Sequence, residues 1–220
     1  KISQKSLADM GGQPPEESAI VPTNPVSSAI LEASIRRIAD ECQQKGRMEP
    51  VSRAFNRLLL RKAPDVTGVK EGAPLVLDGE EDVDGVVRTG LAMNDSILCI
   101  QGPPGTGKTY AGAKLILALL EKGKRVGVTA NSHDAIWNLL LKVKELDSNA
   151  NRYRICKVEG EPRYNLFEKT GFIHEKSGRN AWALSHQLIG ATAWTFSSEE
   201  SVGQLDHLIV DEAGQCSLAN

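Results

Sequence analysis

The stretch that decides the fold is residues 96–110, SILCIQGPPGTGKTY. Residues 102–109 within it match the pattern GxxxxGK[ST] in full. A short apolar run at residues 97–100 comes directly before the pattern, and a helical pattern follows it. This order predicts a strand over residues 97–100, a glycine-rich loop, and a helix from about residue 107 to residue 122. We interpret the stretch as a P-loop rather than a turn that merely binds anions.

The residues of this loop have the chemistry that a nucleoside triphosphate requires. Backbone N–H groups of the turn and the N-terminal end of the helix attract phosphate oxygens. We expect Lys108 to reach the β- and γ-phosphates and the Thr109 hydroxyl to hold Mg²⁺. Gly105 and Gly107 suit positions with positive φ or close approach of a phosphate. The predicted nucleotide-binding residues are Gly102, Pro103, Pro104, Gly105, Thr106, Gly107, Lys108, Thr109 and Tyr110.

A second candidate site lies in residues 206–215, DHLIVDEAGQ. The aliphatic run at residues 208–210 predicts a buried strand that carries Asp211 to the carboxyl edge of a parallel sheet, where ligands bind in open α/β folds. A carboxylate there can hold Mg²⁺, and Glu212 is placed to polarise the attacking water. Alone, this pattern would indicate only a strand followed by an acidic turn. Combined with a complete P-loop, it indicates the other half of an ATPase site.

Composition indicates a soluble globular protein, with 220 residues, 40% hydrophobic and 25% charged. No apolar run approaches the roughly 20 residues that span a bilayer. The chain has no secretory segment near its start and does not begin with Met, so we expect a piece of a longer cytoplasmic protein. Four widely spaced cysteines without metal-ligand spacing favour free thiols in a reducing compartment over a metal site.

Charge is distributed unevenly, although the net charge is only −2. Residues 71–100 carry one Arg against seven acids, net −6, and residues 101–180 carry fourteen Lys and Arg against eight acids, net +6. The basic block could meet a phosphate backbone, or it could be a solvated face. Charge alone favours neither interpretation.

Three regions are predicted along the chain. Residues 1–26 are a linker rich in Gly and Pro, residues 27–82 are a helical N-terminal segment, and residues 83–220 are a partial P-loop ATPase domain. In the helical segment, Ser27 or Ser28 is expected to cap a first helix, and a second helix is expected between Pro50 and Pro64. The apolar residues expected to face inward from these helices are Ile30, Leu31, Ile35, Ile38, Val51, Phe55, Leu58 and Leu59.

After the P-loop, strands and helices alternate, which predicts a parallel, doubly wound α/β sheet with flanking helices. The predicted strands are residues 125–130, 155–158, 187–193 and 207–211. Two helices should bury one face each, and Asn131 or Ser132 should cap the second. The buried positions are Leu115, Ile116, Leu119 and Leu120 in the first, and Ile136, Leu139, Leu140 and Val143 in the second. Residues 161–180 are predicted to form a loop or an insertion.

The two motifs together resemble a known family. QGPPGTGKTY at residues 101–110 with DEAGQ at residues 211–215 is similar to the first RecA-like domain of superfamily 1 helicases. VGVTANSHDAIWNLL at residues 126–140 resembles motif Ia of that family, and IGATAWTFS at residues 189–197 resembles the strand-and-loop motif that follows. The likeness is greatest to the helicase part of bacterial proteins that fuse a RecB-like nuclease to such a motor.

The resemblance implies ATP-driven translocation on single-stranded DNA or RNA. Lys108, Thr109, Asp211 and Glu212 match the nucleotide and magnesium positions of the family, and Gln215 matches its γ-phosphate-sensing position. The positions that match nucleic-acid contacts are Thr129, Asn131, Ser132, Thr192 and Trp194. The resemblance also implies a second RecA-like domain, beyond residue 220, and a fused nuclease.

Other interpretations remain open at this stage. Asn131 and Ser132 could simply cap a helix, and Trp137 and Trp194 could be core aromatics. The chain could be a P-loop ATPase that does not act on nucleic acid, or an interaction module that binds nucleotide weakly. DEAGQ argues against a small-molecule kinase. Residues 45–100 contain no Gln, whereas the family usually places an adenine-reading Gln before the P-loop strand.

Overall fold

A computed structural model describes residues 27–44, 53–149, 152–183 and 185–216. The predicted linker, residues 1–26, lies outside the described residues, as does the first part of the predicted second helix. Within the described part, the chain has the α/β fold of a P-loop NTPase, as the sequence predicts.

A parallel sheet of five strands forms the centre of the fold. The strands are β1 (Val126–Thr129), β2 (Ile155–Val158), β3 (Ile173–Glu175), β4 (Leu188–Gly190) and β5 (His207–Val210). Their order across the sheet is β3-β2-β4-β1-β5, and every neighbouring pair is parallel. The carboxyl ends of all five strands therefore meet at one edge of the sheet, which is the edge that binds ligands in open α/β folds.

Three helices form the main helical layer, in which the second and third contact the sheet and the first packs on the second. They are α3 (Asp82–Leu91), α4 (Lys108–Glu121) and α5 (His133–Leu146). The predicted inward faces of α4 and α5 are buried at all eight positions, and they join β1 and β4 in one hydrophobic cluster. The helices α3 and α4 pack so closely that a Cβ at Gly90 would lie 2.5 Å from Leu115 Cδ1. The 3.6-residue period of α4 and α5 thus predicted the core correctly.

The shorter helices follow in the second half of the domain. They are α6 (Tyr164–Thr170), α7 (Gly178–Ala183) and α8 (Ala193–Phe196), with 3₁₀ turns at Glu199–Ser201 and Ala213–Gln215. The prediction of a loop or insertion over residues 161–180 was therefore wrong. This region contains α6, β3 and the start of α7. Its polar composition concealed them because β3 is a three-residue edge strand and both helices are too short to show a full apolar face.

Two helices, α1 (Ala29–Gln44) and α2 (Arg53–Leu59), lie where the sequence predicts helices, but not all of their predicted inward faces are buried. Leu31 of α1 is buried, whereas Ile30 and Ile35 are 46% and 45% exposed. In α2 no residue is buried, and Leu58 and Leu59 are exposed. Within the described residues, α1 packs on the one-turn helix α8, which is too short to cover the whole of its apolar stripe.

The strand predicted over residues 97–100 is not formed, although the apolar run is there. Residues 96–100 have no strand partner among the described residues, and Cys99 and Ile100 are exposed. A strand needs the backbone groups of a neighbour for its hydrogen bonds, and apolar sequence alone cannot supply them. The segment leads into the P-loop as extended, irregular chain.

No helix in the described part of the chain has the length and apolar character that crossing a membrane would require.

Candidate active site

The glycine-rich loop before α4 has the backbone geometry that its sequence predicts. Gly105 and Gly107 both have positive φ, +82° and +84°, and Gly107 is the residue directly before the first turn of α4. Non-glycine residues rarely adopt this left-handed region, so the two glycines allow the tight turn. The loop is exposed from Pro103 to Gly107, and its backbone N–H groups can reach a ligand at the N-terminus of α4.

The side chains of the loop are held over its own carbonyl groups. Lys108 Nζ donates to the carbonyl oxygens of Gly102 and Pro103, at 2.6 and 2.9 Å. Thr106 Oγ1 donates to the same Pro103 oxygen at 2.8 Å. These contacts place the ammonium group at the mouth of the loop, where a phosphate group can replace the carbonyl oxygens as its partner.

Thr109 and Tyr110, the last two predicted nucleotide-binding residues, lie in the first turn of α4. Thr109 is half-buried and Tyr110 is 39% exposed. Lys114, one turn later, has its ammonium group 5.7 Å from the centre of the Tyr110 ring. The exposed ring at the start of the helix offers a flat surface beside the loop.

Topology brings the P-loop and the acidic motif to the same edge of the sheet. The helix α4 leads through a short turn into β1 and packs against it, so the N-terminus of α4 lies toward the carboxyl end of β1. Val210 of β5 pairs with Thr129 of β1, and the Asp211 amide donates to the Thr129 oxygen at 2.8 Å. Asp211 is thereby tied to the carboxyl end of β1.

The acidic motif itself forms a tight local structure. The Glu212 amide donates to Asp211 Oδ1 at 3.0 Å, and the amide of Gln215 donates to the Glu212 carboxylate. Glu212 is exposed and has a φ of +54°, an uncommon conformation for a side chain of this size. This backbone turn separates the Glu212 side chain from that of Asp211 and brings Glu212 together with Gln215.

Two of the predicted nucleic-acid residues lie exposed between β1 and α5. Ser132 caps α5 by accepting a hydrogen bond from the Ala135 amide at 3.1 Å. Asn131 Oδ1 accepts one from the Cys216 thiol, also at 3.1 Å. The capping role that the sequence left open for Ser132 is therefore present, and both side chains remain at the surface.

The other three predicted contacts are less accessible. Thr129 is buried, and its hydroxyl oxygen has no hydrogen-bond partner in the part of the chain that the structure describes. Thr192 is half-buried directly before α8, and Trp194 is half-buried within it. The Trp194 indole N–H donates to the Ser27 carbonyl at 2.8 Å, which joins α8 to the start of α1. These surroundings favour structural roles for Thr129 and Trp194 over direct base contacts.

A buried polar cluster at the carboxyl end of β2 was not predicted from the sequence. Lys157 is fully buried and Glu159 nearly so, and their charged groups lie 3.7 Å apart. The Glu159 carboxylate also accepts hydrogen bonds from the Trp137 indole at 3.1 Å and from the Arg163 amide at 3.2 Å. His133, the first residue of α5, contacts Lys157 Nζ through Nδ1 at 2.8 Å. A Lys and a Glu two positions apart, around a buried strand, were the only signal in the sequence.

Electrostatics in this cluster follow from burial. Desolvation lowers the pKa of Lys157 to about 8, and the Glu159 carboxylate partly opposes that shift. Desolvation also lowers the pKa of His133, with a further contribution from the Lys157 ammonium. Burial therefore favours the neutral imidazole of His133, while the neighbouring Glu159 carboxylate favours the ammonium form of Lys157.

Several cations of the basic block are paired on the surface. The ion pairs join Arg152 to Glu121, Arg163 to Asp134, Arg179 to Glu200, Lys142 to Glu145 and Lys124 to Asp206. Exposed pairs of this kind contribute little to stability. They also reduce the positive charge that the block presents to a polyanion.

The chain is similar to known ATPases and helicases. Residues 85–167 match the family described as AAA domain. The DNA replication ATP-dependent helicase/nuclease DNA2 of Saccharomyces cerevisiae is 28% identical over 151 residues, which cover 66% of this chain and 9% of the yeast protein. The dna2 protein of Schizosaccharomyces pombe, which has the same description, is 32% identical over 123 residues, 54% of this chain and 9% of that protein.

The chain thus spans 9% of the length of both curated relatives. The parallel sheet and the P-loop that precedes α4 agree with the match to the AAA domain family over residues 85–167.

Proposed function

We propose that this chain is the first RecA-like ATPase domain of a superfamily 1 helicase and that it couples ATP hydrolysis to movement along single-stranded DNA or RNA. One observation carries the proposal. A complete P-loop with positive φ at Gly105 and Gly107 and the Asp211–Glu212 pair after β5 lie toward the same carboxyl edge of one parallel sheet.

The loop residues bind the triphosphate. The backbone N–H groups of residues 102–109 and the N-terminal end of α4 attract the phosphate oxygens, and the Lys108 ammonium exchanges the Gly102 and Pro103 carbonyls for them. Tyr110, exposed in the first turn of α4, is placed beside the bound nucleotide. We propose ATP as the nucleotide because the relatives are described as ATP-dependent.

The donor set fits a magnesium ion. The Thr109 hydroxyl and the Asp211 carboxylate are hard oxygen donors, and one Asp211 oxygen is already oriented by the Glu212 amide at 3.0 Å. When bound, Mg²⁺ neutralises charge on the phosphate oxygens. Thr109 and Asp211 are the residues of this chain that would hold it.

Glu212 and Gln215 act on the attacking water. The exposed Glu212 carboxylate accepts a proton from the water as general base, and the amide of Gln215 holds that carboxylate in place through their hydrogen bond. Gln215 would also report the presence of the γ-phosphate, since its position matches the sensing glutamine of the helicase family. Hydrolysis would alter this hydrogen-bonded pair and so the loop after β5.

Nucleic acid would pass along the exposed residues after β1. The groups proposed for this contact are the side chains of Asn131 and Ser132, at the surface before α5, with Thr192 directly before α8. Thr129 and Trp194 stay predictions from the sequence. Hydroxyl and amide groups can position a phosphate backbone without reading its sequence. Contacts of that kind suit a motor that moves along any strand.

Further parts of the protein belong to the proposal as well. We propose a second RecA-like domain that completes the ATPase site and the nucleic-acid track, and a fused nuclease, since both relatives are described as helicase/nucleases. Likeness to bacterial RecB-like nuclease fusions and a cytoplasmic location stay predictions from the sequence.

The second candidate function is a P-loop ATPase that does not act on nucleic acid. The observation in its favour is that acidic neighbours pair several cations of the basic block, including Arg152, Arg163 and Arg179. Both functions predict nucleotide binding. They differ in whether single-stranded DNA or RNA should stimulate ATP hydrolysis.

Nucleotide binding tests the part that both functions share. Titration of this chain with a fluorescent ATP analogue should show saturable binding that requires Mg²⁺, and Lys108→Ala should abolish it. The matched control is Lys122→Ala, an exposed lysine directly after the last turn of the same helix. Equal binding by the Lys108→Ala and Lys122→Ala proteins would contradict the assignment of the loop.

A further inference from the structure

The starting observation is the contact between a buried lysine and the first side chain of α5. Lys157 Nζ lies 2.8 Å from His133 Nδ1, although Lys157 is fully buried in β2. The lysine stem passes Gly190 of β4, where a Cβ would lie 3.3 Å from Lys157 Cδ. The same Cβ would lie closer to Leu140 Cδ1 and Ile136 Cγ2 of α5, at 2.6 and 3.0 Å, so the glycine makes room for the side chains of α5 as well as for the lysine stem.

The hydrogen bonds of Lys157 determine which nitrogen of His133 carries the proton. The ammonium group also donates to the Val158 carbonyl at 2.9 Å and pairs with Glu159 at 3.7 Å. An ammonium group can only donate, so Nδ1 is the acceptor of the hydrogen bond from the protonated Lys157 at 2.8 Å; the Glu159 carboxylate lies farther from the same atom, at 3.6 Å. A neutral ring whose Nδ1 accepts carries its proton on Nε2.

The groups that face His133 favour this neutral form on balance. Lys157 approaches from β2, Arg163 from the start of α6, Glu159 from the end of β2 and Asp134 from α5 itself. Burial and the two cations lower the pKa of His133, and the two carboxylates raise it. A protonated Nδ1 would also place an N–H against the Lys157 ammonium.

His133 lies next to Asn131 and Ser132 on the exposed stretch before α5, and its side chain is 41% exposed. We propose that His133 is a further nucleic-acid-binding residue, which donates a hydrogen bond from Nε2 to a backbone phosphate oxygen, and that Lys157 is the positioning residue that fixes this tautomer. The inference rests on the proposed function, because it adds a contact to the same track. A neutral donor at a helix N-terminus suits a phosphate oxygen.

The tautomer is tested first, on the wild-type chain without any substitution. Long-range ¹H–¹⁵N correlation spectra at pH 7 should show the His133 ring protonated on Nε2 and unprotonated on Nδ1. Addition of single-stranded dT oligonucleotides should then shift the Nε2 proton resonance. A ring protonated on Nδ1, or a His133 resonance that does not respond while the oligonucleotide binds, would overturn the proposal.

Two substitutions separate the ring nitrogens. An amide at residue 133 can replace Nε2 when it is Gln and Nδ1 when it is Asn, since the two side chains differ by one methylene. We expect His133→Gln to bind the dT oligonucleotide within about 2-fold of the wild type, and His133→Asn to bind about 3- to 10-fold more weakly, the size of one neutral hydrogen bond. Asn138→Ala, at an exposed position of α5, is the control. Equal affinities for the Gln and Asn variants would contradict the Nε2 contact.

Lys157→Met tests the positioning role of Lys157 through the pH dependence of oligonucleotide binding. Removal of the ammonium leaves Glu159 to favour the protonated ring, so this variant should bind the oligonucleotide more tightly at pH 6 than at pH 8. The ratio of the two affinities should be larger than in the wild type. An unchanged ratio would overturn the role of Lys157. Should the variant fail to fold, the wild-type spectra still decide the tautomer. Absence of oligonucleotide binding by a wild type with the Nε2 tautomer would instead contradict the proposed function.

Discussion

The ends of β2 and β5 offer a direct comparison, because the two strands have four residues each, run parallel in one sheet and are each followed by an acidic residue. The strand β2 lies between β3 and β4 and is buried at every position, whereas β5 has β1 as its one neighbour within the described residues. Leu208 and Val210 of β5 are accordingly 46% and 40% exposed. Glu159 is nearly buried after β2, and Glu212 is exposed after β5.

This difference in position gives the two acids different chemistry. The Glu159 carboxylate is occupied by Trp137, Arg163 and Lys157, so its charge is committed to holding β2, α5 and α6 together. Among the described residues, the exposed Glu212 carboxylate contacts the Gln215 amide, and a water molecule can reach it. We expect substitutions at the β5 end and in the P-loop to change activity, and substitutions in β2 to change stability.

The largest expected effect belongs to Lys108. Lys108→Ala should lower ATP turnover of the full-length protein by about 10²-fold or more, because it removes the cation that faces the developing charge on the phosphates. The melting temperature should change little, since the lost contacts are two hydrogen bonds to exposed loop carbonyls. Steady-state ATPase assays and thermal melts measure the two effects. Turnover at the wild-type rate would contradict the role of Lys108 in activity. A large fall in melting temperature would contradict the expectation that P-loop substitutions change activity rather than stability.

Glu212→Gln should come next, with a loss of turnover of about 10²- to 10⁴-fold and unchanged affinity for ATP. The amide keeps the size of the side chain but removes the general base. Glu199→Gln, another exposed position, provides the control. Turnover equal to the wild type would contradict the role of Glu212, and a parallel loss of nucleotide affinity would indicate a binding role instead.

Glu159→Ala tests the buried end of the comparison. The substitution leaves the Lys157 charge buried without its partner, a change that typically lowers the free energy of unfolding by about 3–5 kcal/mol. Glu161→Ala, two residues later and exposed, should have almost no effect. Urea denaturation of both variants gives the comparison, and similar unfolding free energies would show that the cluster does not hold the sheet edge together.

The smallest predicted effect is a pH dependence of the free energy of unfolding, which arises from the buried thiol of Cys156 in β2. Burial raises the pKa of this thiol from its ordinary value of 9.0 to about 12, so in the unfolded chain it loses its proton at a lower pH than in the folded one. The wild type should therefore lose about 1 kcal/mol of stability relative to Cys156→Ala between pH 8 and pH 10. Lys157, with a pKa lowered to about 8, titrates in both proteins and largely cancels in the difference. A constant difference in unfolding free energy over this range would contradict the burial of the thiol.

Sequence patterns were sufficient where one segment contains its own signal. The period of α4 and α5 predicted their buried faces, and the P-loop pattern predicted positive φ at Gly105 and Gly107. Residues 97–100 failed as a strand because pairing depends on a neighbour that no local pattern reveals.

The buried cluster was missed for a related reason. The pattern of β2 does not reveal that β2 lies inside the sheet, where Lys157 and Glu159 are buried and find their partners in β2, α5 and the residue before α6. The sequence likewise could not show that the Trp194 indole N–H donates a hydrogen bond to the Ser27 carbonyl, 167 residues away along the chain.

The most direct test of the central claim is the ATPase rate of the full-length protein with and without single-stranded DNA or RNA, with Lys108→Ala as the blank. We predict that one of the two polymers strongly stimulates hydrolysis, which would also identify the track. Turnover that is the same with and without either polymer would contradict the motor function and favour an ATPase that does not act on nucleic acid.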